Sequence, residues 1–192
     1  MSPVIDPDAD LIPRLSAGDE LALGELMDRH MTRIHALASR MLSDPVMAED
    51  VTQTVFLKTW QQSKTWKPGA AKLVTWMSRV CTHSCLDILK KKKPVYMDVL
   101  PESSAHLHDD NPDAAEVLML SERRKTVEAA LSALPENQRA AMILCYYQFM
   151  PQSDAADILG VSEKAYESLL SRARARLRQL LDPKLLNLGA AE

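Results

Sequence analysis

Between residues 23 and 41 the apolar side chains Leu23, Leu26, Met27, Ile34, Leu37, Ala38 and Met41, with His30 among them, recur every three or four positions. That period places them on one face of a helix. Gly18-Asp19 supplies a start, and Ser43-Asp44-Pro45 a break. A second helix follows through Val51, Val55, Phe56 and Trp60 and is ended by Lys67-Pro68-Gly69; a third runs from about Ala71 to Lys92. From Pro94 to Ala115 the period vanishes, and Pro94, Pro101, Pro112, Glu102-Ser103-Ser104 and His108-Asp109-Asp110-Asn111 mark a flexible linker. Helical spacing returns with Val117, Leu118, Leu120, Val127, Ala130, Leu131 and Leu134, stopped by Pro135, and continues through Met142, Ile143 and Tyr146. Two short helices, Gln152 to Leu159 and Glu163 to Leu181, follow Met150-Pro151 and are joined by Gly160-Val161-Ser162. The pattern predicts an all-α protein of two small helical domains, residues 1–93 and 116–192, joined by the linker 94–115, with four helices in the second domain.

Composition agrees with helices. The 192 residues are 46% hydrophobic but only 5% aromatic, with ten Met and five Gly, so neither a sheet-rich nor a disordered chain is expected. No apolar run is long enough to cross a membrane, and Met1 to Asp10 carries three acids and no base, so no signal peptide is read there and a cytoplasmic location is expected. The three cysteines, Cys81, Cys85 and Cys145, are an odd number suited to reduced thiols. The net charge of −3 would by itself discourage a nucleic-acid partner, but it averages over unlike segments. Residues 1–43 carry −3, 44–93 carry +5, 94–122 carry −7 and 123–192 carry +2. Two basic blocks flank an acidic one.

The strongest local signal is Ala155-Ala156-Asp157-Ile158-Leu159-Gly160-Val161-Ser162-Glu163-Lys164-Ala165-Tyr166-Glu167-Ser168-Leu169. A helix-turn-helix needs a small residue where its helices touch, a turn glycine able to take positive φ, and apolar residues at fixed offsets. Ala156, Gly160, and the set Ala155, Leu159, Val161, Tyr166 and Leu169 meet those needs, and Ser162 is placed to cap the second helix. That helix would turn Leu170, Ala173 and Leu177 inward. It would present Lys164, Glu167, Ser168, Ser171, Arg172, Arg174 and Arg176, and then Arg178, to the major groove and the phosphates.

In the first domain, the helix after Asp44-Pro45 would expose Asp50, Gln53 and Thr54 beside Phe56 and Leu57, a polar face with accessible apolar residues that suits a protein partner. Four motifs then coincide: the run from Asp44 to Trp60; Thr75-Trp76-Met77 leading to Leu86-Asp87-Ile88-Leu89 and a basic run; Leu134-Pro135-Glu136-Asn137-Gln138-Arg139; and the helix-turn-helix closing on Ser171-Arg172-Ala173-Arg174-Ala175-Arg176-Leu177-Arg178. Together they resemble bacterial extracytoplasmic-function (ECF) sigma factors over roughly residues 10–182. The resemblance implies a promoter-specificity subunit with region 2 before the linker and region 4 after it. It implies no cofactor.

By the same resemblance, Asp50, Gln53, Phe56 and Leu57 would dock the clamp of the largest subunit of core RNA polymerase, with region 4 meeting the flap, and an anti-sigma factor would cover these faces. Thr54 stands where the family often has Glu. Residues 63–72, with Lys64, Trp66, Lys67 and Lys72, and then Trp76, Arg79, His83 and Asp87, would melt and read the minus-ten element. The tryptophans are able to stack on unpaired bases, and the lysines and Arg79, with Lys90 to Lys93, to follow phosphates. Where the family commonly has Asn, this chain has His83. The linker acids Asp98, Glu102, Asp109, Asp110 and Asp113 would imitate a phosphate chain.

Two other classes compete. A self-contained dimeric helix-turn-helix regulator would bind a palindrome without polymerase, and the first-domain motifs argue against it. A metal or thiol function would use Cys81 and Cys85, which share a helix face, with His83, His106 or His108. The spacing lacks the tight knuckle of a closed zinc site, and small core hydrophobes explain the cysteines better. No phosphate loop, HExxH or nucleophile with a base suggests an enzyme.

Overall fold

The structure, a computed structural model, describes residues 6–67, 69, 71–91 and 114–181, with side chains from residue 121 onward in the last stretch. Eight helices and no strand occur among them: α1 (Leu11–Ser16), α2 (Glu20–Leu42), α3 (Pro45–Ser63), α4 (Leu73–Lys91), α5 (Ala114–Ser132), α6 (Glu136–Tyr146), α7 (Gln152–Leu159) and α8 (Glu163–Leu180).

Local chemistry sets these bounds. Asp19 caps α2, its Oδ1 accepting from the Leu21 and Ala22 amides at 2.9 and 3.4 Å, and Asp44 Oδ1 caps α3 through the Met47 amide at 3.1 Å, with Pro45 at the first helical position. Pro135 and Pro151 precede α6 and α7. Gly160 closes α7 in the left-handed region at φ 66°, where a Cβ would be strained, and Ser162 Oγ caps α8 by accepting from the Ala165 amide at 3.2 Å. The short α1 has no counterpart in the expected three-helix first domain. α5 starts at Ala114, inside the stretch expected to be linker, while the remainder of that stretch, with Asp98, Glu102, Asp109, Asp110 and Asp113, lies outside the described residues, as do Lys92 and Lys93.

Leu26, Ile34, Leu37 and Met41 of α2 are fully buried against α3 and α4, as the helical period requires. The second group closes around Ile143, Leu144, Ile158 and Tyr166. Tyr166 donates its hydroxyl to the Ala141 carbonyl at 3.0 Å, and burial pushes its phenol well above the ordinary range. The two groups pack on each other, α2 against α5 and α6, and α4 against α6 and α7.

Arg139, from the Leu134-Pro135-Glu136 motif, fastens that contact. Nearly buried, it donates Nη1 to the Met41 carbonyl at 2.7 Å and Nη2 to the Ser132 carbonyl, the ends of α2 and α5. Burial draws its pKa down. A second fastening joins Arg33 to buried Gln148, Nε to Oε1 at 2.7 Å and Nη2 to the Gln148 carbonyl at 2.8 Å.

Candidate nucleic-acid interface

Three surfaces carry the expected site residues. On α3, Asp50, Gln53 and Leu57 are exposed and lie three and four residues apart, on one face. Phe56 corrects the expectation of an accessible side chain: it is 4% exposed. It lies four residues after Thr52 and three before Thr59, both buried, so it shares their face toward the core. Its edge still lines a groove of about 500 Å³ between α2 and α3, with Leu23, Met27, Gln53, Leu57 and Trp60. The apolar part of this surface is therefore Leu57, 58% exposed, together with the groove. Thr54 is half-buried.

On α4 and the loop before it, Lys64, Lys67 and Lys72 are exposed. Trp66 and Trp76 meet edge to face, centroids 6.1 Å apart and planes at 87°, each half-buried against the core. They are at once core-packed and partly open to solvent. Arg79, His83 and Asp87 are exposed at successive turns of α4, while Cys81 and Cys85 point into the core. A hydrogen bond with the neighbouring Cys85, and burial after it, raise the Cys81 thiol, which keeps it protonated. Among the described residues no group of three or more His, Cys, Asp or Glu is placed to hold a metal ion.

Arg79 and His83 are not idle. Arg79 Nη2 donates to the Asp157 carbonyl at 2.9 Å, and His83 Nε2 lies 2.7 Å from the Ile158 carbonyl, a contact that requires a proton on that nitrogen. Both acceptors sit in the last turn of α7, the negative end of that helix. In this arrangement two side chains expected to read DNA grip the helix-turn-helix instead.

The third surface is α8. Lys164, Glu167, Ser168, Ser171, Arg172, Arg174, Arg176 and Arg178 are exposed, and Leu170, Ala173 and Leu177 are buried, as the period demands. Arg172 Nε bends back to the Ser168 carbonyl at 3.2 Å, and Arg174 donates to the Tyr146 hydroxyl at 2.8 Å. Sequence reasoning missed Arg33, Gln148 and the partners of Arg79, His83 and Arg139. Most of those contacts end on backbone carbonyls, which have no sequence signature. No helix among the described residues is long and apolar enough to cross a membrane.

Two family descriptions match the chain, Sigma-70 region 2 over residues 26–95 and Sigma-70, region 4 over residues 124–177. The chain is 33% identical over 174 residues to the ECF RNA polymerase sigma factor SigM of Mycobacterium tuberculosis, covering 91% of this chain and 84% of SigM. It is 28% identical over 169 residues to the ECF RNA polymerase sigma factor SigE of Mycolicibacterium smegmatis, covering 86% of this chain but 65% of that longer relative. CnrH, solved in complex with the cytosolic domain of CnrY, superposes with a TM-score of 0.68 at 25% identity over 92% of this chain and 98% of CnrH. The sigma factor RpoE of Bartonella quintana, solved with the anti-sigma factor NepR, shares the fold with a TM-score of 0.62 at 21% identity over 82% and 94% of the two chains.

Proposed function

Because this chain belongs to the ECF sigma factors of bacterial RNA polymerase, we propose that it is a promoter-specificity subunit that joins core polymerase, opens a dedicated set of promoters, and is held in reserve by an anti-sigma factor. Residues 1–93 act as region 2, 94–115 as the linker and 116–192 as region 4. The observation that carries this reading is the joint presence of an exposed basic α8 on a capped helix-turn-helix and an exposed Asp50, Gln53, Leu57 face beside an apolar groove on α3. A regulator acting alone has no use for the second surface. The family is a regulatory one, and the protein acts through polymerase rather than as an enzyme.

In this role the α3 face and its groove receive the polymerase clamp, and region 4 meets the flap. Trp66 and Trp76 stack on melted minus-ten bases while Lys64, Lys67 and Lys72 follow the strand, with Arg79, His83 and Asp87 along α4. Lys164, Glu167, Ser168, Ser171, Arg172, Arg174 and Arg176 read or hold the minus-thirty-five element. The two elements lie about 25 base pairs apart, roughly 85 Å of duplex at 3.4 Å per step. Helices α4 and α7, in direct contact through Arg79 and His83, cannot span that distance, so the packed arrangement is the stored form and promoter binding requires its separation. An anti-sigma factor that bridges both groups would prolong the stored form. Run-off transcription with core polymerase over a genomic promoter pool tests the reading: protein-dependent transcripts should begin downstream of a shared pair of elements. Absence of any such transcript, with core polymerase active on a control sigma factor, overturns it.

A further inference from the structure

The amino-terminal segment carries an acid at every second position, Asp6, Asp8 and Asp10, and the functional reading uses none of them. Each is partnered, and Asp8 and Asp10 share Arg29. Asp10 Oδ2 accepts from Arg29 Nη2 at 3.2 Å. Asp8, 1% exposed, accepts from Arg29 Nη1 at 3.2 Å and lies 2.8 Å from His30 Nε2. These contacts pin the segment to α2. Asp6 reaches past it to α4: its Oδ2 accepts from the Leu73 amide at 2.8 Å, while its Oδ1 accepts from the Asp8 amide at 3.1 Å.

Leu73 is the first residue of α4, and the residue before it, Lys72, has no side-chain acceptor to offer the unpaired amides of the first turn. Helices α2, α3 and α8 take caps from their own Asp19, Asp44 and Ser162. The cap on α4 comes from 67 residues earlier in the chain. That first turn ends at Trp76, whose amide donates to the Lys72 carbonyl at 3.1 Å and whose indole meets Trp66. A carboxylate there also favours the positive end of the helix dipole.

We propose that Asp6 is a positioning residue for minus-ten recognition, a capping acceptor supplied from a distant part of the chain that holds the first turn of α4 and so the Trp66–Trp76 pair in register for the melted strand. The inference rests on the reading of α4 as the minus-ten helix.

The test compares the full chain with Asp6→Ala, Asp6→Asn and the control Asp10→Ala. Amide hydrogen exchange, thermal unfolding, affinity for core polymerase, and open-complex formation on fully duplex and pre-melted templates are measured for each. In Asp6→Ala, exchange protection of the α4 first turn should fall about fivefold, the usual effect of a lost cap. Open-complex yield on duplex should fall by a similar factor while the pre-melted template and core affinity stay at wild-type levels. Asp6→Asn keeps a neutral acceptor and should fall between, and Asp10→Ala, whose segment stays pinned to α2 through Asp8, should match wild type. Unchanged protection overturns the cap. Lost protection with an unchanged ratio of duplex to pre-melted opening overturns the positioning role and leaves a structural cap. Should Asp6→Ala unfold, Asp6→Asn at wild-type ratio overturns it equally. Wild-type protein that opens no promoter overturns the functional reading beneath it, a result distinct from both because the exchange measurement needs no polymerase.

Discussion

Phe56 and Leu57 are adjacent, yet one substitution should damage the fold and the other the partner surface. Phe56→Ala should cost about 3–5 kcal/mol of unfolding free energy, the usual range for a buried aromatic truncated in a packed core. Leu57→Asp should leave thermal unfolding nearly unchanged and weaken core polymerase binding measured by titration. Phe149 makes a different forecast. It is 84% exposed and sits at φ 50°, a left-handed conformation that costs a bulky side chain about 1–2 kcal/mol. Phe149→Gly should therefore raise stability in thermal melts, by about 0.5–1 kcal/mol once the greater freedom of the unfolded glycine is subtracted. Asp8 links stability to pH. Burial alone would raise its pKa, but His30 and Arg29 outweigh burial and hold it below 3.8. A carboxylate depressed in the fold stabilises above its unfolded pKa and stops doing so as pH falls through the folded value. The stability advantage of wild type over Asp8→Asn should thus be full above about pH 5 and vanish as pH drops below 3.8.

At the level of elements, α7 and α8 were legible almost to the residue because Pro151, Gly160 and Ser162 punctuate them with mechanisms that act locally. α3 was read less well. Its core face includes Thr52 and Thr59, polar in sequence, whose hydroxyls donate to the carbonyls of Ala48 and Val55 at 2.7 Å and are then buried without penalty. Apolar residue types alone leave that stripe incomplete, so the sequence does not fix the side on which Phe56 lies. α1 carries no sequence signal because six residues, one of them Pro13, give too little period to detect. On α8 the exposed side chains differ in what they should read. Arg172→Ala should cost about 1–3 kcal/mol at one or two base positions, as for a guanine contact, and Arg176→Ala should weaken all sequences alike, as for a phosphate contact. Glu167→Lys should shift base preference. Profiling a randomised minus-thirty-five library with each variant holoenzyme separates the three.

For the molecule as a whole, the two helical groups and their faces followed from hydrophobic period and charge blocks, whereas their packing did not. It depends on Arg139, Arg33 and Gln148 meeting carbonyls or each other across the join, and one sequence gives no spacing rule for such contacts. Gln148→Ala should loosen that join without touching a DNA contact. Removing one partner of a buried, charge-assisted pair costs about 1–3 kcal/mol, so the population of separated molecules should rise about tenfold, visible as a larger radius of gyration in solution scattering. If the radius stays unchanged, Arg33 and Gln148 do not hold the groups together.

The grip of Arg79 and His83 on the last carbonyls of α7 also sets the terms of competition. Those carbonyls are a decoy that occupies the two side chains expected to face the minus-ten element on DNA. Because decoy and binder share one chain, the effective local concentration of the decoy is on the order of millimolar. DNA must displace a contact that is always within reach, so the packed arrangement weakens the apparent affinity for a promoter by the inverse of the fraction of molecules that are open. On the proposed reading, a partner that engages the α3 face and separates the halves would lift that competition and make the search for promoters contingent on assembly.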